Sequence, residues 1–554
     1  MTTRRMTGGE AMVRAALANG TDTVFGLPGA QTYPLFEGLY ATGTRLIVPR
    51  HEQTAGYMAM GYAKSSGKTG VFSVVPGPGV LNAAAALCTA MGNGSPLVCL
   101  TGQVPSQYLG RGRGHLHELA DQIGTLKTII KDACRIDSPA DAPRVVNQAF
   151  RTASSGRPGP VSVEMCWDRM AAQDEVEILA ALEPQPAPQA DPDALAAAVR
   201  LLQDARKPMI MCGGGAQAAA EAVTALAELL DAPVTAFRSG RGVVPEDHAL
   251  AAPPVTAREL WDDVDLLLGV GSRLEMPYMR WGHMMQYEAK PSRGPKLIRI
   301  DIDPAEMSRL IPDVALVADA GEACHALLDR LQPRARRNAA RRQEIATAKR
   351  LARSLLEREL QPQTAYLDVL RQVIPRDGFL VPELSQLGFA SYTDAYPVLA
   401  PRSYVTEGFQ GTLGFGFPTA LGVKLAHPER AVVSITGDGG FCFGLQELAT
   451  AAQYGIGVVT VLFNNHSYGN VLRDQQQQFG GHEIGSRLEN PDFLRLAESF
   501  GVPARRVTTP EALKPALERA LASDRPALLE VSVDPGREAS PWKFIHMPAR
   551  PSHG

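Results

Sequence analysis

The sequence predicts an α/β protein built of three doubly wound parallel-sheet domains, and three observations carry that reading. Short, almost purely apolar runs recur along the chain, each followed by a longer helical pattern. A strand that is apolar throughout belongs in a parallel sheet covered by helices on both faces. Two composition breaks divide the 554 residues into three blocks, each of a size that folds as one domain.

The apolar runs include Val71–Val75, Pro208–Cys212, Val264–Leu268, Leu297–Ile300 and Val458–Phe463. The first break, Glu183–Pro192, is too rich in proline for a helix interior and reads as a linker. The second, from Arg334 to about Glu359, is charged and alanine-rich and reads as a solvated helix between domains. The expected blocks are 1–183, 194–335 and 360–535, followed by a tail over 536–554.

Composition narrows the function. A net charge of −3 gives no electrostatic reason to expect nucleic acid or an anionic membrane as partner. The opening Met1–Gly9 has two arginines but no apolar stretch, and no later run reaches the length of a membrane span. The expected location is the cytoplasm. Cysteines 88, 99, 134, 166, 212, 324 and 442 form no CxxC pair and are odd in number, which predicts buried free thiols in a reducing compartment.

Ligands of such sheets bind at the carboxyl ends of strands. Two candidate phosphate motifs there are weak. Ser66–Thr69 looks like the end of a P-loop, but the glycine expected five residues before Gly67 is Tyr62, so a surface turn is the better reading. Gly213–Ala218 fits GxGxxA after a strand, yet the next run, Pro233–Phe237, ends at Arg238 rather than at an acid that would hold a ribose. A tight turn of small residues is expected there.

The third candidate is stronger. Ala431–Thr436 reads as a buried strand, followed at once by Gly437, Asp438, Gly439 and Gly440 and then a helical pattern through Leu445, Leu448 and Ala452. The next strand ends in Asn464, Asn465, His466, Ser467, Tyr468 and Gly469. Two successive strands thus deliver Asp438 and Asn465 to one edge, where oxygen ligands suit a hard cation and glycines admit phosphates.

In these features the sequence resembles the thiamine diphosphate enzymes of the acetolactate synthase-like superfamily. The superfamily's GDG-to-NN motif corresponds to Gly437 through Asn465. Further similar stretches are Phe25–Gly29, Arg50–Gln53, Gly77–Gly79, Arg157–Pro160 and Gly411–Gly416, so the likeness runs along nearly the whole chain.

The resemblance implies a pyrimidine-binding N-terminal domain, a central α/β domain and a diphosphate-binding C-terminal domain. It implies thiamine diphosphate and Mg²⁺ as cofactors, with Asp438, Asn465 and the Ser467 carbonyl as metal ligands. Gly29, Gly411, Leu413, Gly437, Gly439, Gly440, Tyr468 and Gly469 join them in contacting the cofactor, Leu413 as the wedge that bends it. Glu52 corresponds to the glutamate that bonds the aminopyrimidine N1′. Homodimers or homotetramers with active sites between chains are implied as well.

Several positions depart from acetolactate synthase itself. The lysine that follows the RPGPV strand in that enzyme is replaced, the segment here running Glu164, Met165, Cys166, Trp167, Asp168, and Asp474 stands where it has a tryptophan nine residues after the metal asparagine. Arg273–Tyr278 replaces an Asp-Arg pair, and Pro253–Glu259 lacks the Gly-Met-His-Gly run associated with flavin. FAD is therefore not expected. The glutamate of dedicated pyruvate decarboxylases, six residues after the asparagine, is Val471.

His117, in Leu116–Glu118, occupies a segment where related enzymes place a Gln or His near the substrate, and with His115 it is a candidate proton donor. Leu116, Val471, Leu472 and Trp167 are the expected apolar walls. The reading is a lyase or carboligase acting on a 2-oxo acid or acyloin through an enamine intermediate. Acetolactate synthase proper and a flavin-dependent oxidase of the pyruvate oxidase type stay open as alternatives.

Overall fold

Alternation of buried strands with amphipathic helices yields three all-parallel sheets. The computed structural model describes residues 3–281, 288–291, 294–332, 339–533 and 538–547. The first sheet has six strands in the order Arg45–Ile47, Thr23–Gly26, Gly70–Val74, Leu97–Gln103, Pro160–Cys166, Asp132–Ile136. An antiparallel ribbon of Thr3–Thr7 with Gln173–Glu177 flanks it. The second sheet orders Val234–Ala236, Pro208–Cys212, Leu266–Val270, Lys296–Asp301 and Val314–Val317. The third orders Phe379–Pro382, Val432–Gly437, Val458–Asn464, Ala527–Ser532 and Ala504–Val507.

Chain order reverses in the first sheet between Thr23–Gly26 and Gly70–Val74, and in the second between Pro208–Cys212 and Leu266–Val270. Crevices open at such reversals beyond the carboxyl ends of the strands. Both are lined by glycine turns.

Between the sheets, residues 178–191 carry no regular structure, as the proline-rich composition predicts. The second break forms the helix Ala339–Glu359, which buries Ile345, Ala348, Ala352 and Leu356 at helical spacing and exposes its charged face. Residues 334–338 of that run, and 536–537 and 548–554 of the tail, lie outside the described residues.

The first and third domains share one apolar core. Helix Glu52–Ser66 lies against Gly416–Ala426, and Tyr57 meets Phe415 edge-on with ring centroids 5.7 Å apart. Each large apolar side chain fully buried in this seam contributes about 1.5–3 kcal/mol. A side chain at Gly61 would strike the Thr419 carbonyl, and one at Gly422 the Met58 carbonyl. The two helices touch backbone to backbone.

One element differs from its expectation. The helical pattern after Gly440 is not one helix but three pieces, Asp438–Phe441, Leu445–Glu447 and Leu448–Tyr454. Gly444 interrupts it, holding the bend that packs against Pro418. The Ser66–Thr69 segment is the expected turn: Gly67 caps helix Glu52–Ser66, and Lys68 pairs with Asp22 at 2.9 Å. Among the described residues no helix is long and apolar enough to cross a membrane.

Candidate active site

Strands Val432–Gly437 and Val458–Asn464 run side by side with Gly437 opposite Phe463, so Asp438 and Asn465 emerge at the same edge. Asp438 is buried, and its Oδ2 accepts a hydrogen bond from Asn490 Nδ2 at 2.7 Å. Burial pushes its carboxyl above the usual carboxylate range, against the effect of that bond. Asn465 Oδ1 accepts from the Ser467 N–H and hydroxyl at 3.1 and 3.0 Å, and its Nδ2 donates to Glu538 at 2.7 Å. Glu538 is pushed up to about 7, first by burial and then by the charge of Asp438.

No Lys or Arg among the described residues bonds Asp438 or Glu538. Nor do three His, Cys, Asp or Glu side chains converge anywhere among those residues. A cation here would rest on one or two carboxylates, amide and carbonyl oxygens, and the ligand's own oxygens, the donor set of Mg²⁺ rather than of zinc.

The floor is made of glycine because it has to be: a side chain at Gly439 would meet the Tyr468 ring, and one at Gly440 the Glu383 carboxyl. Above it lies a cavity of about 190 Å³ walled by Leu384, Phe389, Leu413, Phe463 and Val471. Gln386 also lines it, and its buried Oε1 has no hydrogen-bond partner among the described residues. A glycine cradle, an uncompensated pair of acids and an orphaned amide fit a metal-bound diphosphate.

The remaining candidates gather in the first domain around Val75–Asn82. Helix Glu52–Ser66 is capped by His51, whose Nδ1 accepts from the Gln53 N–H at 3.1 Å. Glu52 is therefore free of capping duty, and its Oε2 accepts from Asn82 Nδ2 at 3.1 Å. The buried Glu447 of the third domain bonds the Arg50 N–H at 3.0 Å and the Thr54 hydroxyl at 2.6 Å, fixing the start of this helix. His117 sits at φ +65°, with Nδ1 3.0 Å from Gln31 Oε1 and its carbonyl over Gly77. Gly29 abuts Val75. His115 is stacked on Tyr108.

Three matches to known proteins follow the three sheets. Residues 6–125 match the thiamine pyrophosphate enzyme N-terminal TPP binding domain, 195–327 the central domain and 385–531 the C-terminal TPP binding domain. The chain belongs to the thiamine pyrophosphate enzymes. It is 33% identical over 563 residues to a probable acetolactate synthase large subunit of Methanocaldococcus jannaschii, covering 97% of this chain and 93% of that one. It is 35% identical over 536 residues to a probable 2-ketoarginine decarboxylase of Pseudomonas aeruginosa, covering 95% and 94%. A 30% identity over 570 residues, covering 97% of both chains, links it to acetolactate synthase isozyme 3 large subunit of Escherichia coli.

Within one chain of this thiamine pyrophosphate enzyme the candidates form two groups. Leu413, Gly437–Gly440, Asn465, Ser467, Tyr468 and Gly469 line the third-domain cavity, with Gly411 against Leu384. Gly29, Glu52 and His117 do not line it. Val471 is a wall as expected, but Leu472 is buried in the core, because adjacent residues of helix Gly469–Gln478 point about 100° apart. Leu116 and Trp167 are exposed and lie outside the cavity. The expectation of buried thiols fails at Cys442, which is exposed just past the glycine turn, whereas Cys99, Cys166, Cys212 and Cys324 are buried.

The Gly213–Ala218 turn is tight, its first glycine pressed on the Gly271 carbonyl, but it also walls a larger cavity of about 420 Å³. Lys64, Arg157, Arg238, Arg273 and Arg402 line that cavity, and burial pushes Lys64 down to about 8, with Arg402 adding to the effect. Four acids line it as well, Glu275, Glu306, Asp319 and Asp301, the last at the end of a strand three places across the sheet from Val234–Ala236.

Sequence reasoning also missed Glu383, Asn490 and Glu538. Glu383 is fully buried, takes the Gly414 N–H and the Thr436 hydroxyl (2.6 Å), and is pushed up to about 7 by burial. Its folded value lies above the ordinary 4.5, so its contribution to stability is complete below about 4.5 and lost as pH rises through about 7. The loss is up to about 3 kcal/mol. Urea unfolding of the cofactor-free protein at pH 5 and pH 8 should show this decline, and Glu383→Gln should flatten it.

Proposed function

We propose that this enzyme is a Mg²⁺-dependent lyase or carboligase for 2-oxo acids or acyloins, with each active site shared between two chains. The observation that carries the reading is the separation of Glu52 from the cavity that holds Asp438 and Asn465. A second copy joined about a two-fold axis brings the first-domain group of one chain to the third-domain group of the other.

On this reading Asp438, Asn465 and the Ser467 carbonyl hold Mg²⁺, and the glycine floor receives the diphosphate. Leu413 supports the bent cofactor, and Gly411 and Leu413 hold the pyrimidine edge. Glu52 holds a proton at the pyrimidine N1′. Bound there, thiamine diphosphate supplies the carbanion chemistry next to a carbonyl, while the protein anchors and orients it. The apolar walls Leu384, Phe389 and Val471 keep water from the reacting carbon, and His117 moves a proton to or from the substrate oxygen.

The substrate follows from two features. Val471 in place of a glutamate removes the acid from that position, and the cavity's remaining acid, Glu538, is tied to Asn465, which favours capture of a cleaved product by a second carbonyl. The relative described as a probable 2-ketoarginine decarboxylase widens the range to longer 2-oxo acids with a cationic end, for which the Glu538 carboxylate in the cavity wall is a partner. The test is turnover of pyruvate, longer apolar 2-oxo acids and 2-ketoarginine, each with and without an added aldehyde. Acyloin products support carboligation; free aldehyde dominating in excess acceptor makes the enzyme a simple decarboxylase.

A second reading, a flavin-dependent oxidase, draws on the 420 Å³ cavity, whose basic residues Lys64 and Arg402 and glycine turn offer contacts to a nucleotide phosphate. The altered Pro253–Glu259 and Arg273–Tyr278 segments speak against flavin there. The purified protein is expected to carry no stoichiometric flavin, and a flavin absorption band matching the protein concentration decides for the oxidase.

A further inference from the structure

We infer that Gln31 is a positioning residue that fixes the tautomer of His117 and leaves its Nε2 as the nitrogen that exchanges protons. The inference rests on the reading of His117 given above. Gln31 is 2% exposed and lies in the turn Ala30–Thr32, directly after Gly29. Its Nε2 donates to the Leu116 carbonyl at 2.8 Å. A carbonyl oxygen only accepts, so this bond settles which end of the amide is which. The other end, Oε1, faces His117 Nδ1 at 3.0 Å and can only accept as well. His117 must then carry a proton on Nδ1.

A neutral imidazole has one N–H. With that hydrogen committed to Gln31, the lone pair sits on Nε2, the reverse of the tautomer that a free histidine side chain prefers in water. The same amide grips the backbone before the histidine and the ring itself, holding both in register. That grip spans the left-handed φ of +65° at His117, an uncommon conformation for a residue other than glycine.

Among the described residues no carboxylate is hydrogen-bonded to His117, and those nearby hold other partners. The Glu118 carboxyl is occupied by the His115 N–H at 3.0 Å. Glu164, behind the loop, is held by Gln122 at 2.7 Å, Gln103 at 3.2 Å and Arg135. Asp121 is spent on the Gly124 N–H, and Glu52 is bonded to Asn82.

The test compares Gln31→Glu and Gln31→Leu in the cofactor-loaded enzyme. Diethyl pyrocarbonate modifies only the unprotonated ring, and peptide mapping reads His117 separately from the other histidines. Glu at position 31 keeps the acceptor and adds a negative charge, so the pH of half-modification of His117 should rise by about one unit. The acid limb of the kcat/KM profile should rise with it. Gln31→Leu should lower kcat by at least about tenfold with KM changed far less. An unmoved half-modification pH in Gln31→Glu, or a shift there with no matching shift in the pH profile, overturns the inference. If wild-type enzyme turns over no 2-oxo acid, the proposed function falls, while the modification measurement still decides the pairing.

Discussion

Replacing Glu52 by Gln is expected to cut turnover by about 10²–10⁴-fold while leaving the fold and thiamine diphosphate affinity near their wild-type values. The fold should survive because His51, not Glu52, caps helix Glu52–Ser66, and because Glu447 secures the preceding backbone. The bond that Glu52 accepts from Asn82 is equally available to a glutamine oxygen. On the proposed reading, what the substitution removes is the ability to hold and release a proton at the pyrimidine. Initial rates beside calorimetric cofactor titration separate the two effects. Near-normal turnover in the variant would falsify the role proposed for Glu52.

The other large effect is expected on binding. Asp438→Ala should weaken Mg²⁺-dependent binding of thiamine diphosphate by more than about a hundredfold. Asp438 is buried, no basic side chain among the described residues bonds it, and burial already disfavours its charge. Removing it should therefore cost the cofactor-free protein little, since the main loss is the bond from Asn490. With cofactor, the diphosphate loses the cation that offsets its charge. Calorimetry with and without Mg²⁺ reads this directly, and equal affinities for variant and wild type refute the assignment. Asp438→Asn, which preserves the Asn490 contact, guards against a folding artefact.

The parts of this architecture that strand ends announce were legible in the sequence. Apolar runs fixed where the sheets lie, and the turns after Gly437 and Asn464 stood out because glycine and asparagine at the end of a buried strand have few other uses. Glu538 was hidden because it reaches Asn465 from the tail, 2.7 Å away in space with no motif joining them in the chain. Glu383 was hidden because an acid at the end of a strand looks the same whether it faces water or, as here, backbone N–H groups. The cavity beside Gly213 was hidden because sheet order, not chain order, brings Asp301 and the Gly213–Ala218 turn to one rim. Leu472 was misplaced by helix phase, which one residue of error reverses.

The close approach of Gly61 to the Thr419 backbone and of Gly422 to the Met58 backbone sets a rule for recombination within the family. Because two backbones meet there with no side chain between them, the first and third domains carry matching halves of one lock. Chimaeras that exchange the central domain alone leave the lock intact. Exchanging the first domain without the third brings together a helix surface shaped for a glycine and one that offers it an arbitrary side chain. Inheritance of this enzyme by modules should thus keep the outer domains travelling as a pair, while the central domain, whose core runs on into the third, needs a matched seam of its own.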